Sequence, residues 1–353
     1  MLGDLWANVS FPGGNLPSYV MMKRARKELE SGAPGLSRVE WMQGEMRIES
    51  KVHEEIVDLA IAWNWDCDRP FVEMLREACG RRGLSMASIT PEDLPAILER
   101  AWRGQWICRA FFDRASDWDE DFEALVDWAR AAGVFRLNPT EQARAAWDKA
   151  AMHQRFIAAG LPTPPTWILP PWEEQPEVEW PEEAIGLWIA KPAFGGGGEG
   201  VKRIASPEDL AVLRAAFPDE PFLIQRYVRP RELGGRPAWF RVLYAVDAVF
   251  PCWWNPETHR YAPVTEAERE AFGLYPLWAL GHRIAEVCGL HLFSSEIAMD
   301  EEGRFLCIDY VNDPIDTRPQ SMAPEGVPDE ILHRIADRIA EAVFRRAPCR
   351  SSW

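Results

Sequence analysis

Four consecutive glycines, Gly195, Gly196, Gly197 and Gly198, stand in WIAKPAFGGGGEGVKRI between two apolar runs that each carry a lysine. Ordering glycine costs more backbone entropy than ordering any other residue. An ordered run of four therefore implies a use for bare backbone. Its N–H groups can approach an anion closely, with Lys191 at the end of the first run as a point charge. The run lacks the Gly-Lys-Ser/Thr ending of a Walker loop and precedes a strand pattern rather than a helix, which excludes that motif. On these residues alone, a phosphate-covering loop and a mobile hairpin tip both stand.

A second group lies in SSEIAMDEEGRFLCIDYVND. Pairing two strands about the turn at residues 300–303 sets Glu296 roughly opposite Asp309. Like charges directly opposite one another destabilise a ladder unless a cation lies between them. Asn312, just past the strand end, adds a neutral oxygen. Two carboxylates, an amide oxygen and phosphate oxygens suit Mg²⁺, with waters completing the octahedron; the alternative is a hairpin with both acids solvated. Third, Arg226, Arg229, Arg231, Arg236 and Arg241 fall within sixteen residues. The first four read equally as a solvated basic face. Arg241 lies inside the apolar strand WFRVLYA, where a charge needs a partner or a ligand. Arg318 follows the acidic hairpin closely, and guanidinium groups suit planar or phosphate oxygens.

The elements that must position these groups begin near residue 55. IVDLAIAW, WICRAFFD and VFRLN read as buried strands separated by helical stretches. One helix opens with Asp68 as N-cap and Pro70 behind it; another spans 119–132 with Phe122, Leu125, Val126 and Ala129 inward. This alternation predicts a small parallel sheet. Asn138-Pro139 opens one long helix to about residue 159. After the Pro- and Glu-rich connection PPWEEQPEVEWPEEA, the pattern becomes antiparallel strands with helices. LWIAKPAF and GVKRI flank the glycines, Ser206 opens a helix over 207–216, and FLIQRYV is a strand. WFRVLYAVDAVFPCWW and the acidic segment are hairpins, 276–288 is a helix, and an amphipathic helix ends the chain. The fold class is α/β, becoming α+β in the C-terminal part. Residues 1–54 are an extension with a basic helical piece around 21–29 and a hairpin in RVEWMQGEMRIES turning at Gly44.

The chain's 353 residues leave room for roughly two domains. Its 39 basic and 55 acidic residues give a net charge of −16, which speaks against a non-specific nucleic-acid or anionic-membrane binder. No apolar run reaches the ~18 residues of a membrane span, and the first residues lack the form of a signal peptide. Seven scattered cysteines without a CxxC pair suggest neither a disulfide framework nor a thiolate zinc site, so a reduced cytoplasm is the expected setting.

Taken in order, a helix lysine, a strand lysine, the glycine hairpin, IQRYV, an inward arginine and an acidic hairpin ending in Asn resemble the ATP-grasp superfamily of carboxylate–amine and carboxylate–thiol ligases. Within it the sequence is similar to the glutathione synthetase and ribosomal-protein glutamate ligase branch. The resemblance covers about residues 137–342, with FLIQRYVRPREL and CIDYVNDPIDTR its most characteristic pieces. It implies an ATP-grasp domain over 138–353, with a lid part at about 161–228 and a catalytic part at about 229–345. A smaller α/β domain at 55–137 precedes it.

Carried over residue by residue, Lys149 and Lys191 contact the phosphates, and Gly195 to Gly198 close over the β- and γ-phosphates. Gln225, Arg226, Tyr227 and Val228 form the hinge, with backbone bonds to adenine from Arg226 and Val228, and Glu232 holds the ribose hydroxyls. Arg241 faces the γ-phosphate or acyl phosphate, with Arg318 as a second catalytic arginine. Glu296, Asp309 and Asn312 hold one or two Mg²⁺, for which Mn²⁺ is an admissible substitute. The implied activity is ADP-forming ligation of a small-molecule carboxylate to an amine, thiol or peptide acceptor through an acyl phosphate. A small-molecule kinase on the same fold and a degenerate, non-catalytic nucleotide-binding module are the alternatives. A homodimer is compatible with the resemblance; nucleic-acid and membrane partners are not expected.

The sequence departs from the family pattern in places. Arg226 stands where the hinge commonly has an acid, the metal acids run Glu then Asp, Asn312 follows its acid by three residues instead of two, and Glu199 places an acid inside the glycine loop. Trp239, Trp253 and Trp254, on or near the Arg241 hairpin, read as lining an acceptor pocket for an aromatic or bulky apolar group, with core packing as the alternative.

Overall fold

The computed structural model describes residues 39–42, 45–48, 55–178 and 186–346. They fall in two units, Met1–His53 and Glu54–Trp353. In the first, β1 (Val39–Met42) and β2 (Glu45–Ile48) pair antiparallel, with Val39 opposite Ile48. The hairpin expected there is present; Gly44 and the helical piece around 21–29 lie outside the described residues.

The second unit opens with β3 (Glu55–Trp63), α1 (Arg69–Arg81), β4 (Met86–Ile89), α2 (Leu94–Trp102), β5 (Trp106–Arg114), α3 (Glu123–Ala131) and β6 (Phe135–Leu137). The four strands are parallel, in the order β4-β3-β5-β6. Covered on both faces, β3 is buried from Val57 to Trp63, as its near-continuous apolar run requires. Asp58 interrupts that run. Its carboxylate accepts the N–H and Oγ–H of Ser85, both at 2.8 Å, and pairs with Arg109. β4 and α2 extend the expected three-stranded sheet by one βα unit. Asp68 does not cap α1 through its side chain. It is buried and holds Arg114 Nη2 at 2.8 Å and the hydroxyl of Thr317 at 2.6 Å.

The single long helix expected over 138–159 is two, α4 (Thr140–Trp147) and α5 (Lys149–Ala158). Asp148 between them is extended, with φ −77° and ψ 98°, and its carboxylate accepts the N–H groups of Ala150 and Ala151. The segment thus carries its own N-cap, and Lys149 becomes the first residue of a new helix.

An antiparallel sheet follows, built from β7 (Thr166–Leu169), β8 (Trp188–Pro192), β9 (Lys202–Ile204) and, after α6 (Pro207–Ala215), β10 (Phe222–Arg226), in the order β7-β10-β8-β9. Leu210 and Leu213 of α6 pack on Trp188, Ala190, Phe222 and Ile224. Ser206 Oγ caps α6 by accepting the Asp209 N–H at 3.2 Å. The short ribbon β11 (Glu232–Leu233) and β12 (Arg236–Pro237) leads into β13 (Trp239–Ala245), β14 (Ala248–Asn255) and β15 (Arg260–Pro263). Then come α7 (Glu266–Ala271), α8 (Pro276–Cys288), β16 (Leu292–Met299), β17 (Phe305–Asn312) and α9 (Asp329–Arg346).

The last five strands form one antiparallel sheet, β15-β14-β13-β16-β17. Period-two alternation along β13 divides its two faces. Phe240, Val242 and Tyr244 pack with α4, α5 and α8, while Leu243 and Ala245, on the face that carries Arg241, join a core with α1, β3 and α9. No helix among the described residues is long and apolar enough to cross a membrane.

Candidate nucleotide and cation site

The glycine loop and the two lysines meet. Lys149 opens α5, its N–H donates to Ala193 O at 2.9 Å, and its Nζ donates to Gly195 O. Gly195, Gly197 and Gly198 have φ of 97°, 64° and 80°, a backbone region that side chains disfavour. A Cβ at any of Gly195 to Gly198 would meet nothing within 4 Å, so these glycines serve backbone conformation and access rather than close packing. Glu199 is exposed, so the loop acid is carried in solvent. Lys191 is 5% exposed at the end of β8, with its Nζ donating to Ile308 O at 2.7 Å. That ammonium lies 3.7 Å from Asp309 Oδ1. Burial pulls the Lys191 ammonium below its ordinary range, against the opposing pull of Asp309.

The acidic hairpin sets its two acids opposite one another, as expected, with a register shift between Ile297 and Glu296 on the way. Arg241 on β13 faces Glu296 on β16, and Glu296 faces Asp309 on β17. Glu296 is held from two sides: Trp239 Nε1 donates to Oε2 at 3.1 Å and Arg241 Nη1 to Oε1 at 3.4 Å. Arg241 Nε also donates to Ser294 Oγ at 3.1 Å, and its guanidinium lies 4.9 Å from the Trp254 ring centre. Burial, reinforced by the charge of Asp309, pushes the Glu296 carboxyl up. Burial acts on Asp309 in the same sense, but Lys191, then Lys149 and Arg241, outweigh it and pull that carboxyl down.

The spacing of Asn312 is accounted for by a β-bulge. The register runs from Ser294 opposite Asn312 to Glu296 opposite Asp309, so three steps on β17 match two on β16. Tyr310 and Val311 absorb the extra residue into the opposite core, which returns Asn312 to the face of the two acids. Its amide lowers Asp309 by hydrogen bonding and donates to Ser294 O at 3.4 Å.

Among the described residues no three His, Cys, Asp or Glu side chains converge on one point. A cation here would have two carboxylates and an amide, which leaves coordination for phosphate oxygens and water. The residues fit such an ion: Asp309 Oδ1 is buried without a hydrogen-bond partner, beside a second carboxylate directly across the ladder.

At the hinge, β10 stops at Arg226, two residues short of the strand expected through Val228. Arg226 N–H donates to Pro165 O at 2.9 Å. Proline has no N–H to return, so the Arg226 carbonyl receives no reciprocal ladder bond. Tyr227 N–H donates to Leu187 O at 3.0 Å, and Val228 N–H has no acceptor among the described residues. The hinge thus offers one open acceptor and, two residues on, one open donor. Gln225 is buried, and its Nε2 donates to Tyr310 OH at 3.2 Å.

Other expected residues lie further from this cluster or are otherwise engaged. Glu232 is exposed on the β11–β12 ribbon, opposite Pro237. Arg318 is held by Asp316 at 2.8 Å and Glu325 at 3.1 Å, and hydrogen bonds and charge from Asp316 raise its pKa. The three tryptophans divide between faces. Trp239 and Trp254 share the face of Arg241, whereas Trp253 packs on Phe240 at 4.8 Å with Arg236 over its ring. Trp254 and Tyr261, 4.5 Å apart, are buried in the core shared with α1, β3 and α9, Trp239 packs against that core and Trp253 lies in the opposite one, which is the packing alternative for these rings. The contacts of Trp239 with Glu296, of Ser294 with Arg241, of Pro165 with Arg226 and of Tyr310 with Gln225 carry no signal in the linear pattern.

No family model and no curated protein matches the sequence. Solved structures do match in shape. A RimK-domain ATP-grasp protein from Sphaerobacter thermophilus superposes with TM-score 0.54 at 20% identity, covering 80% of this chain and 98% of that one. The ATP-grasp ligase PsnB, complexed with minimal precursor, Mg and ADP, gives 0.55 at 16% identity over 82% and 98%. D-alanine–D-alanine ligase from Bacillus anthracis, complexed with ATP, gives 0.54 at 13% over 81% and 97%. At such identities the likeness is one of fold. The chain has the ATP-grasp fold, a parallel four-stranded α/β sheet followed by antiparallel sheets with helices, and its structural neighbours over most of its length are ATP-grasp ligases.

Proposed function

We propose that the chain is an ATP-dependent, ADP-forming ligase that joins a carboxylate to an amine, thiol or peptide acceptor through an acyl phosphate. One observation carries the reading: the buried Lys191 ammonium lies 3.7 Å from Asp309 Oδ1, which has no hydrogen-bond partner, and Asp309 stands directly across the ladder from Glu296. Cation, paired carboxylates and a glycine loop anchored to Lys149 form a set suited to a polyphosphate with its divalent ion. The neighbour PsnB was solved with a precursor, Mg and ADP, which supports the same class of partners here.

In this reading adenine takes the Arg226 carbonyl and Val228 N–H, and Lys149, Lys191 and the loop at Gly195 to Gly198 receive the phosphates. Glu232 is assigned to the ribose. Mg²⁺, held by Glu296, Asp309 and Asn312, would supply charge neutralisation as the γ-phosphoryl passes to the substrate carboxylate. Arg241 steadies the transferring group, and attack by the acceptor on the acyl carbon releases phosphate. Lysines and arginine act by position and charge, and no protein acid or base is required. The domain limits at 54, 137 and 228 belong to the same proposal.

The test is incubation with Mg-ATP and pooled carboxylates and amines, assaying ADP and free phosphate, with hydroxylamine added to trap acyl phosphate as hydroxamate. Hydroxamate with stoichiometric ADP is the expected result. ADP with phosphate fixed on an alcohol would make the protein a kinase, and calorimetry showing no Mg²⁺-dependent ATP binding would favour the degenerate, non-catalytic module.

A further inference from the structure

The bulge that restores Asn312 turns Tyr310 into the opposite core, where it meets two other nucleotide-facing segments. Tyr310 OH lies 2.8 Å from His153 Nδ1, on α5 one turn after Lys149. It also accepts from Nε2 of Gln225 at 3.2 Å, on the hinge strand beside Arg226. With Gln225 donating, the hydroxyl is free to donate to His153 Nδ1 in the tautomer that leaves that nitrogen unprotonated. Burial and the nearby Lys191 charge lower the pKa of that imidazole. The Lys191 ammonium sits 4.9 Å from the centre of the Tyr310 ring. All three members of the network are buried.

Four segments are therefore joined through one phenol: the Lys149 helix, the Lys191 strand, the hinge and the strand bearing Asp309 and Asn312. Lys191 already ties β8 to β17 through Ile308 O and Asp309; the Tyr310 hydroxyl adds the bonds that reach the hinge strand itself, at Gln225, and the Lys149 helix, at His153. Buried networks whose members are all satisfied fix one arrangement, because slipping any member leaves a polar group unpaired.

We propose that Gln225–Tyr310–His153 is a positioning tie that sets the distance between the adenine hinge and the cation-holding acids, so that one nucleotide engages both. Tyr310 touches neither base nor cation; it acts through Gln225 and Asp309. The inference rests on the nucleotide reading above. It concerns the gain in ATP affinity that Mg²⁺ brings, since the ion would join the phosphates directly to the acids.

Calorimetry of ATP binding in Mg²⁺ and in EDTA tests it, with unfolding followed in parallel. Tyr310→Phe keeps the ring under Lys191 and removes the hydroxyl. The Mg²⁺-dependent gain is expected to fall about tenfold, the order of one or two lost hydrogen bonds, while affinity in EDTA stays within about twofold. His153→Asn, whose amide can stand in for Nδ1, should retain most of the gain, and His153→Leu should lose it. Equal losses with and without Mg²⁺ would show general loosening and overturn the tie. An unchanged gain in a folded Tyr310→Phe protein would overturn it while leaving the ligase reading intact. A wild-type protein that binds no ATP under either condition would overturn both.

Discussion

Asp58 and Asp309 both lie inside sheets, and their oxygens meet different fates. Asp58 is fully buried and satisfied by Ser85 and Arg109. Burial alone would push its carboxyl up, but hydrogen bonds from Ser85 and the charge of Arg109 bring it below its ordinary value of 3.8. An acid lowered on folding contributes stability above its unfolded pKa and loses it as pH falls through the folded one. Asp58→Asn should therefore cost about 1–3 kcal/mol near pH 7, and the gap from wild type should narrow below pH 3.8 in urea unfolding. A gap constant across that range would show that ionisation is not what the site uses. Asp309, by contrast, keeps one oxygen without a hydrogen bond, with the Lys191 ammonium near it. Its approximate opposition to Glu296 was legible from the tight turn, but simple counting from Met299 opposite Phe305 would set Ile308 there, and a register shift between Ile297 and Glu296 brings Asp309 into line. The recovery of Asn312 was not legible, since a bulge adds one residue without leaving any mark of composition.

At the scale of elements, a single carboxylate divides α4 from α5. The alanines on both sides favour one continuous helix, which is why the break is invisible to periodicity; Asp148 competes by capping the backbone of the residues after it. Asp148→Ala should cost about 1 kcal/mol in thermal unfolding and weaken ATP binding, because Lys149 would no longer open a helix. Retained ATP affinity would show that Lys149 does not depend on this start. The glycine loop gives a paired test. Gly196 has open space for a Cβ, whereas at Gly200, with φ 70°, a Cβ would stand 2.6 Å from Pro192 Cγ. Gly196→Ala should leave the melting temperature unchanged, and Gly200→Ala should lower it by the equivalent of about 1–3 kcal/mol. Equal effects would place the strain elsewhere. β4 and α2 escaped the sequence reading because MASI is too short and too weakly apolar to show a period.

At the scale of the molecule, the parallel sheet is locked to the chain beyond the acidic hairpin. Arg114, at the end of β5, is buried with Asp68 and also donates to Ile315 O at 3.2 Å, while Thr317 donates to Asp68. Partners 46 to 249 residues apart leave no trace in a local pattern. Removing one member strands a buried charge, so Arg114→Met should destabilise by about 3–5 kcal/mol. Denaturant unfolding measures it, and a loss under about 1 kcal/mol would mean that water reaches Asp68. The order of strands and helices was largely legible, because burial on two faces and on one leave different periods. The joints between layers were not, because they are made by single polar residues far apart in the chain.

On the nucleotide reading proposed above, Pro165 has a consequence for the choice of nucleobase. Its missing N–H leaves the Arg226 carbonyl as an acceptor, two residues before the open N–H of Val228. Adenine presents an amino donor beside a ring-nitrogen acceptor, which matches that order; guanine offers a carbonyl oxygen at the corresponding place. Competition binding should accordingly favour ATP over GTP. Pro165→Ala would supply the absent N–H to Arg226 and reduce ATP affinity about fivefold, with GTP little affected. An equal loss for both nucleotides would mean that the proline shapes the hinge without selecting the base. A residue defined by the hydrogen it lacks would then have no part in which purine the cleft admits.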